Sequence, residues 1–254
     1  MNGQVLLRQA QIRWFPKIGR DWDLQIALED PQPSITQYCD ETDPDTLGCP
    51  LEEKEIAAGV SDIPDLVFSI RRNWNDTYHI KLASVVRELR ATTDSFTNPG
   101  ESITDKTYGW GITASGVIKF PMFNKNDKIR FQATTGEGIG RYTNDLNTLG
   151  GLDGVFDEND KIFTLPALAG FGAFEHWWTE QMRSTFLYSY VRIDNYERQP
   201  SNSYKKTDRL SVNYFWSPMP RFDVGAEILW GQRTNKDEQK GKATQFQFMT
   251  KYRF

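Results

Sequence analysis

The feature that most constrains this chain is an alternation with a period of two. Thr244, Phe246, Phe248, Thr250, Tyr252 and Phe254 share one parity, while Gln245, Gln247, Met249, Lys251 and Arg253 share the other. Successive side chains of a strand point to opposite faces, so the segment has a largely aromatic face and a polar or cationic one. Phe222, Val224, Ala226, Ile228 and Trp230 repeat the pattern, as do Leu210, Val212, Tyr214 and Trp216. Trp22, Leu24, Ile26 and Leu28 do so near the start; Tyr108, Trp110, Ile112, Ile118 and Phe120, and then Ile129, Phe131 and Ala133, do so in the middle. Residues 78–91 carry Ser84 and Glu88 on the apolar parity, which predicts a bulge, and in residues 182–195 Phe186, Tyr188 and Tyr190 are placed outward.

The links between strands also alternate. Short ones fall at 16–20, 74–77, 124–127, 179–181 and 217–220; long polar ones fall at 31–63, 91–106, 144–161, 195–206 and 234–242. A soluble sandwich has no reason for this, whereas an outer-membrane barrel has short periplasmic turns and longer external loops. Trp14, Phe15, Trp22, Trp74, Tyr78, Phe120, Phe123, Trp177, Trp178, Trp216, Phe222, Tyr252 and Phe254 flank the short links or the C-terminus, where a periplasmic aromatic girdle belongs. Composition agrees: aromatic residues make up 13% of a chain only 38% hydrophobic, with a mean hydropathy of -0.61. No run approaches the ~18 apolar residues of a spanning helix, and barrel strands, apolar at alternate positions, average out as hydrophilic. The fold class expected is therefore all-β, an antiparallel transmembrane β-barrel.

The strands expected are 3–15, 22–30, 64–73, 78–91, 106–120, 127–142, 161–178, 182–194, 205–216, 221–233 and 241–254. Bacterial barrels have even strand numbers, so a count of about eleven, with no signal peptide at Met1, predicts a chain shortened at its N-terminus and a single barrel domain over 1–254.

The end Lys251–Phe254, with Phe254 last and Tyr252 two places before it, resembles the signal read by the outer-membrane insertion machinery. The stretches Val5–Trp14, Ile63–Leu66, His79–Arg90 and Gln132–Arg141 resemble the DcaP-like porins. That resemblance implies a barrel of about sixteen strands in Gram-negative outer membrane, in contact with lipid and lipopolysaccharide. It also implies a homotrimer and passage of dicarboxylates and other small anions, with no cofactor.

A diffusion pore needs an aqueous lumen and a field that favours one sign of solute. The inward parity carries Arg13, Arg71, Lys81, Arg87, Lys119, Lys128, Arg130, Arg209, Lys251 and Arg253, with Arg183 on a less regular strand; its acids are Asp23, Glu29, Asp223 and Glu227. The lumen is thus expected to be basic although the chain is net -4, a charge that gives no support to nucleic-acid binding. Guanidinium groups pair bidentately with carboxylates, and Arg13, Arg71, Arg87 and Arg130 lead as candidates. The acidic loop 31–63 is either a solvated external loop or a constriction folded inward. Cys39 and Cys49 within it have spacing that closes a disulfide loop in an oxidising compartment, two unrelated free thiols being the alternative.

Competing chemistries find little support. Gly136–Gly140 lacks the Lys-Ser/Thr and helix of a nucleotide loop and reads as a strand end. His79 and His176 lack metal-ligand partners, and no serine has a His/Asp set around it. An outer-membrane barrel enzyme and a secreted carbohydrate-binding β protein are the alternatives.

Overall fold

A chain that alternates in this way can satisfy its backbone only by pairing with neighbouring strands. The computed structural model describes residues 3–5, 9–37, 61–95, 97–98, 100–144, 146, 152–157, 159–197 and 199–253. Its strands are β1 (Gln11–Trp14), β2 (Trp22–Glu29), β3 (Ile35–Gln37), β4 (Asp65–Asn73), β5 (His79–Asp94), β6 (Ser102–Lys119), β7 (Lys128–Glu137), β8 (Gly154–Phe156), β9 (Ile162–Thr164), β10 (Pro166–Trp177), β11 (Met182–Ile193), β12 (Tyr204–Met219), β13 (Phe222–Asn235) and β14 (Lys240–Tyr252). Eleven form one antiparallel sheet in the order β1-β2-β4-β5-β6-β7-β10-β11-β12-β13-β14. The edges β1 and β14 do not pair with each other, so the sheet is open.

Several boundaries differ from those expected. The stretch 127–142 ends as a strand at Glu137, because Gly138 takes a φ of +68° and turns the chain off the sheet. Gly140 then opens a 3-10 turn, where a Cβ would lie 2.2 Å from the Leu152 carbonyl oxygen. The stretch 161–178 divides into β9 and β10, which belong to different sheets. Pro166 has no N–H to donate, and it stands first in β10, where that loss costs least. The register of β5 runs without a bulge, and the irregularities lie in β12 instead. The links expected at 91–106, 195–206 and 234–242 are shorter because the flanking strands extend into them, leaving only Lys236–Gln239 between β13 and β14.

The two faces of the sheet have opposite chemistry. Leu66, Phe68, Leu82, Ile112, Leu210, Ile228, Phe246 and Phe248 stand exposed on one face, with Phe186 and Tyr188 among them as expected. Phe248 is 85% exposed. Such a surface in water would be an association site; in a bilayer it is the lipid contact. At the short-turn end Trp14, Trp22, Trp74, Phe123, Trp178, Trp216 and Tyr252 are exposed. Trp177 departs from the expected girdle, since its indole lies on the opposite, polar face beside Arg183.

The buried apolar residues lie on the polar face, beneath chain that folds onto it. A three-stranded sheet is built from β3, β8 and β9, with β3 parallel to β8. Ile35, Phe156 and Ile162 from this small sheet pack on Leu89 and Ala91 of β5. Ile139, Leu146, Leu152, Val155 and Leu165 pack with Ala167, Ala169, Val191 and Ile193 of β10 and β11. Segments from the two longest links therefore cover part of the inner wall.

Candidate functional site

The inner face divides into a covered part and an open part. Arg87, reached along β5 with the same parity as Lys81, is 1% exposed. Its Nη1 donates to Asp153 Oδ2 at 2.9 Å and to the Gly138 carbonyl at 3.2 Å, and its Nε is ion-paired with Asp65 Oδ2 at 3.1 Å. Asp153 also accepts the backbone amides of Ser34 and Arg141, each at 2.9 Å. One carboxylate thus ties the start of the small sheet, the 3-10 turn and the wall together. The guanidinium lies 5.2 Å from the centre of the Tyr142 ring, and the Tyr142 hydroxyl donates to Asp65 at 2.8 Å. Burial and then the Asp65 carboxylate push the Tyr142 phenol well above its ordinary value, which keeps it a donor.

Next to this anchor lie Arg13, Arg71 and Lys81. They face the same side, with Arg71 directly opposite Lys81 in the register. Arg13 bonds Gln11 and Gln25 and reaches Glu29 at 3.8 Å. Gln9 and Tyr142 also engage Glu29, so that acid belongs partly to the anchor. A cavity of about 290 Å³ is lined here by Arg13, Lys81, Glu29, Gln132 and Thr134.

The open part is a concavity of about 610 Å³ bounded by β7 and β10 to β14. Its ionic lining is five cations, Lys128, Arg130, Arg183, Arg209 and Arg253, against Glu175 and Glu227. Glu175 takes Lys128 at 2.9 Å and Arg130 at 2.8 Å, and accepts the Trp177 indole N–H at 3.0 Å. Arg183 sits between two rings, 5.4 Å from Trp177 and 4.9 Å from Phe215. Arg253 pairs with Asp223, which Ser217 also donates to at 2.6 Å. Lys251 stands opposite Asp223, and Lys119 is exposed opposite Lys128.

The eleven cations expected on the inner parity are therefore placed on one face, in three settings. Arg87 is sealed in the anchor; Arg13, Arg71 and Lys81 form a group beside it; Lys128, Arg130, Arg183, Arg209 and Arg253 line the open wall, with Lys119 and Lys251 next to it on the same face. Asp65, Asp153 and Glu175 were missed. The parity of β4 could have found Asp65, whereas Glu175 follows Pro166, Gly170 and Gly172, which obscured the phase. Cys39, Cys49 and Phe254 lie outside the described residues.

Sequence reasoning also found no Ser–His–Asp set, yet the sheet places Ser184 opposite His176, whose Nδ1 is 3.0 Å from Asp127 Oδ2. The Ser184 hydroxyl accepts the Trp178 indole N–H at 2.9 Å instead. Asp127 closes the turn before β7, accepting the amides of Phe123, Asn124 and Trp177. Burial alone would push its carboxyl up, but these amides with the His176 ring hold it below the ordinary range. The trio is thus a structural staple at the girdle. Among the described residues no group of acids, histidines and cysteines is placed to hold a metal ion.

A transmembrane antiparallel sheet with an apolar outer face, an aromatic girdle and a charged inner face defines an outer-membrane β-barrel protein. The sequence profile of the DcaP outer membrane protein family matches residues 46–254, and the chain belongs to that family. The crystal structure of the outer membrane channel DcaP of Acinetobacter baumannii is similar in fold, with a TM-score of 0.77 and 18% identity. That match covers 100% of this chain and 65% of the channel's length. The FrpB iron transporter from Neisseria meningitidis matches at a TM-score of 0.48 and 8% identity, over 94% of this chain and 41% of its own. No curated protein matches significantly.

Proposed function

We propose that the protein acts as a porin for passive diffusion of small anionic solutes, dicarboxylates foremost, through a basic lumen. The observation that carries this reading is the open wall, where five cations face Glu175 and Glu227 around one concavity, with Asp223 paired to Arg253 at its edge. Low-dielectric walls focus such a field and raise the local concentration of anions. The Arg13, Arg71 and Lys81 group offers a second cationic position on the same face, and two separated positions suit a solute with two carboxylates. The sheet forms part of a closed barrel of about sixteen strands, assembled as a trimer with the help of the insertion machinery reading Tyr252 and Phe254. Residues 31–37 narrow the pore, where β3 folds onto the inner wall. The protein is not an enzyme and uses no cofactor.

Liposome-swelling rates test this reading. Charge reversal at Arg13 and Arg130 is expected to slow succinate entry more than glycerol entry. Equal losses for the two solutes would mean a collapsed barrel and would defeat the assignment of these residues.

A further inference from the structure

At the long-loop end of β11 to β14 the outward positions change from aromatic to cationic. Arg192 opposes Lys206, Lys206 opposes Thr234, and Thr234 opposes Lys240 in the register. Lys242 occupies the neighbouring outward position of β14, opposite Gln232. Arg192, Lys206, Lys240 and Lys242 share parity with the exposed Tyr188, Leu210, Trp230 and Phe246, so they face lipid rather than the lumen, while Thr234 between them is fully buried. Arg192, Lys240 and Lys242 are exposed and Lys206 is half-buried.

The neighbouring acids already have partners. Asp194 pairs with Arg192, Glu238 pairs with Lys205, and Asp208 accepts the Tyr188 hydroxyl at 2.7 Å. Glu238 also lies near enough to feel Lys206 and Lys240. Among the described residues, no acid is within ion-pair distance of Lys206, Lys240 or Lys242.

The height of this row is informative. Lys206 and Trp216 are ten residues apart on β12, as are Lys242 and Tyr252 on β14. At about 3.3 Å per residue and a tilt of about 45°, ten residues rise about 23 Å, close to the apolar band of about 25 Å in outer-membrane barrels. With Trp216 and Tyr252 at the periplasmic boundary, the cations stand at the outer one. Lys206 and Lys240 are two strands apart, about 10 Å, which suits two phosphates on one headgroup better than a single phosphodiester.

We propose that Lys206, Lys240 and Lys242 form a docking site for the phosphate groups of lipopolysaccharide in the outer leaflet. The lysines act here as point charges on phosphate oxygens, whereas the Arg192 fork is already taken by Asp194, which accepts its Nε at 2.8 Å. The site rests on the outer-membrane assignment and on the long loops facing outward. It is independent of which solutes the lumen passes.

Native mass spectrometry of the full chain in detergent, titrated with diphosphorylated lipid A, tests the proposal. Retention is expected to fall about fivefold for each lysine neutralised in Lys206→Gln, Lys240→Gln and Lys242→Gln. Lys206→Arg and the turn variant Lys125→Gln should bind as the unmodified chain does. Dephosphorylated lipid A and phosphatidylglycerol should be retained less by the unmodified chain, a comparison that needs no variant to fold. Equal retention of lipid A by the triple variant, or of phosphatidylglycerol by the unmodified chain, would overturn the site. An epitope inserted between Ser201 and Asn202 should be detected on intact cells. Its absence there would overturn the orientation, and the site with it, while leaving the solute reading to its own test.

Discussion

Arg87 on β5 and Arg183 on β11 stand on the same face of one sheet, yet their surroundings differ. Arg87 is enclosed by Asp65, Asp153, the Gly138 carbonyl and Tyr142, beneath chain that returns from two long links. Arg183 lines an open concavity and is held by two aromatic rings rather than by a paired carboxylate. The first setting converts a cation into a fastener, because a buried charge must have its partners close. The second keeps the charge directed at solvent, since rings orient a guanidinium without neutralising it. One parity along a strand thus serves two purposes, decided by what lies above it.

The largest expected effect is on the fastened side. Arg87→Met should cost about 3–5 kcal/mol, because Asp65 and Asp153 would be left buried with their cation gone. The loss should appear as a lower unfolding temperature in heat-modifiability gels. Arg183→Met should change that temperature little; comparable losses would erase the distinction between the two settings.

Asp153→Asn comes next. The amide keeps the shape but weakens the bonds to Arg87, Ser34 and Arg141, a loss of about 1–3 kcal/mol. If Asp153 anchors the small sheet, protease cleavage between β3 and β4 should accelerate. Unchanged cleavage would mean that the apolar packing of Ile35 and Phe156 suffices alone.

On the open side, Arg183→Glu should lower succinate flux roughly tenfold, equivalent to about 1.4 kcal/mol, while glycerol flux stays near that of the unmodified chain. The smallest effect belongs to Asp127. Its carboxyl is held below the ordinary range, so its stabilising contribution is full above the unfolded value of about 3.9 and fades as pH falls through the lower folded value. Asp127→Asn should therefore lower the unfolding temperature at pH 7, and the difference from the unmodified chain should shrink in acid. A difference that grew in acid would contradict the sign.

The contrast also explains how far the sequence could be read. Alternation in β12, β13 and β14 specifies which face each residue takes, and Leu210, Ile228 and Phe246 stand outward as parity requires. Parity cannot specify what covers a residue: Arg87 and Lys81 look equivalent along β5, and the covering acid Asp153 is 66 residues further along the chain. The small sheet was illegible for a related reason. Ile35–Gln37, Gly154–Phe156 and Ile162–Thr164 are three residues each, too short to establish a period. Glycine gave a partial signal, because Gly138 and Gly140 end β7 where unbroken alternation suggested continuation. The pairing of His176 with Asp127 depends on a strand contact that local spacing does not contain.

If the open wall sets the field in the lumen, the pore should select anions. The most direct measurement is the reversal potential of the reconstituted protein in a planar bilayer under a potassium chloride gradient. A potential displaced toward the chloride equilibrium value is predicted, and it should move back toward zero in the Arg130→Glu and Arg183→Glu variants. Displacement toward the potassium value in the unmodified protein would show that the basic wall does not set the selectivity.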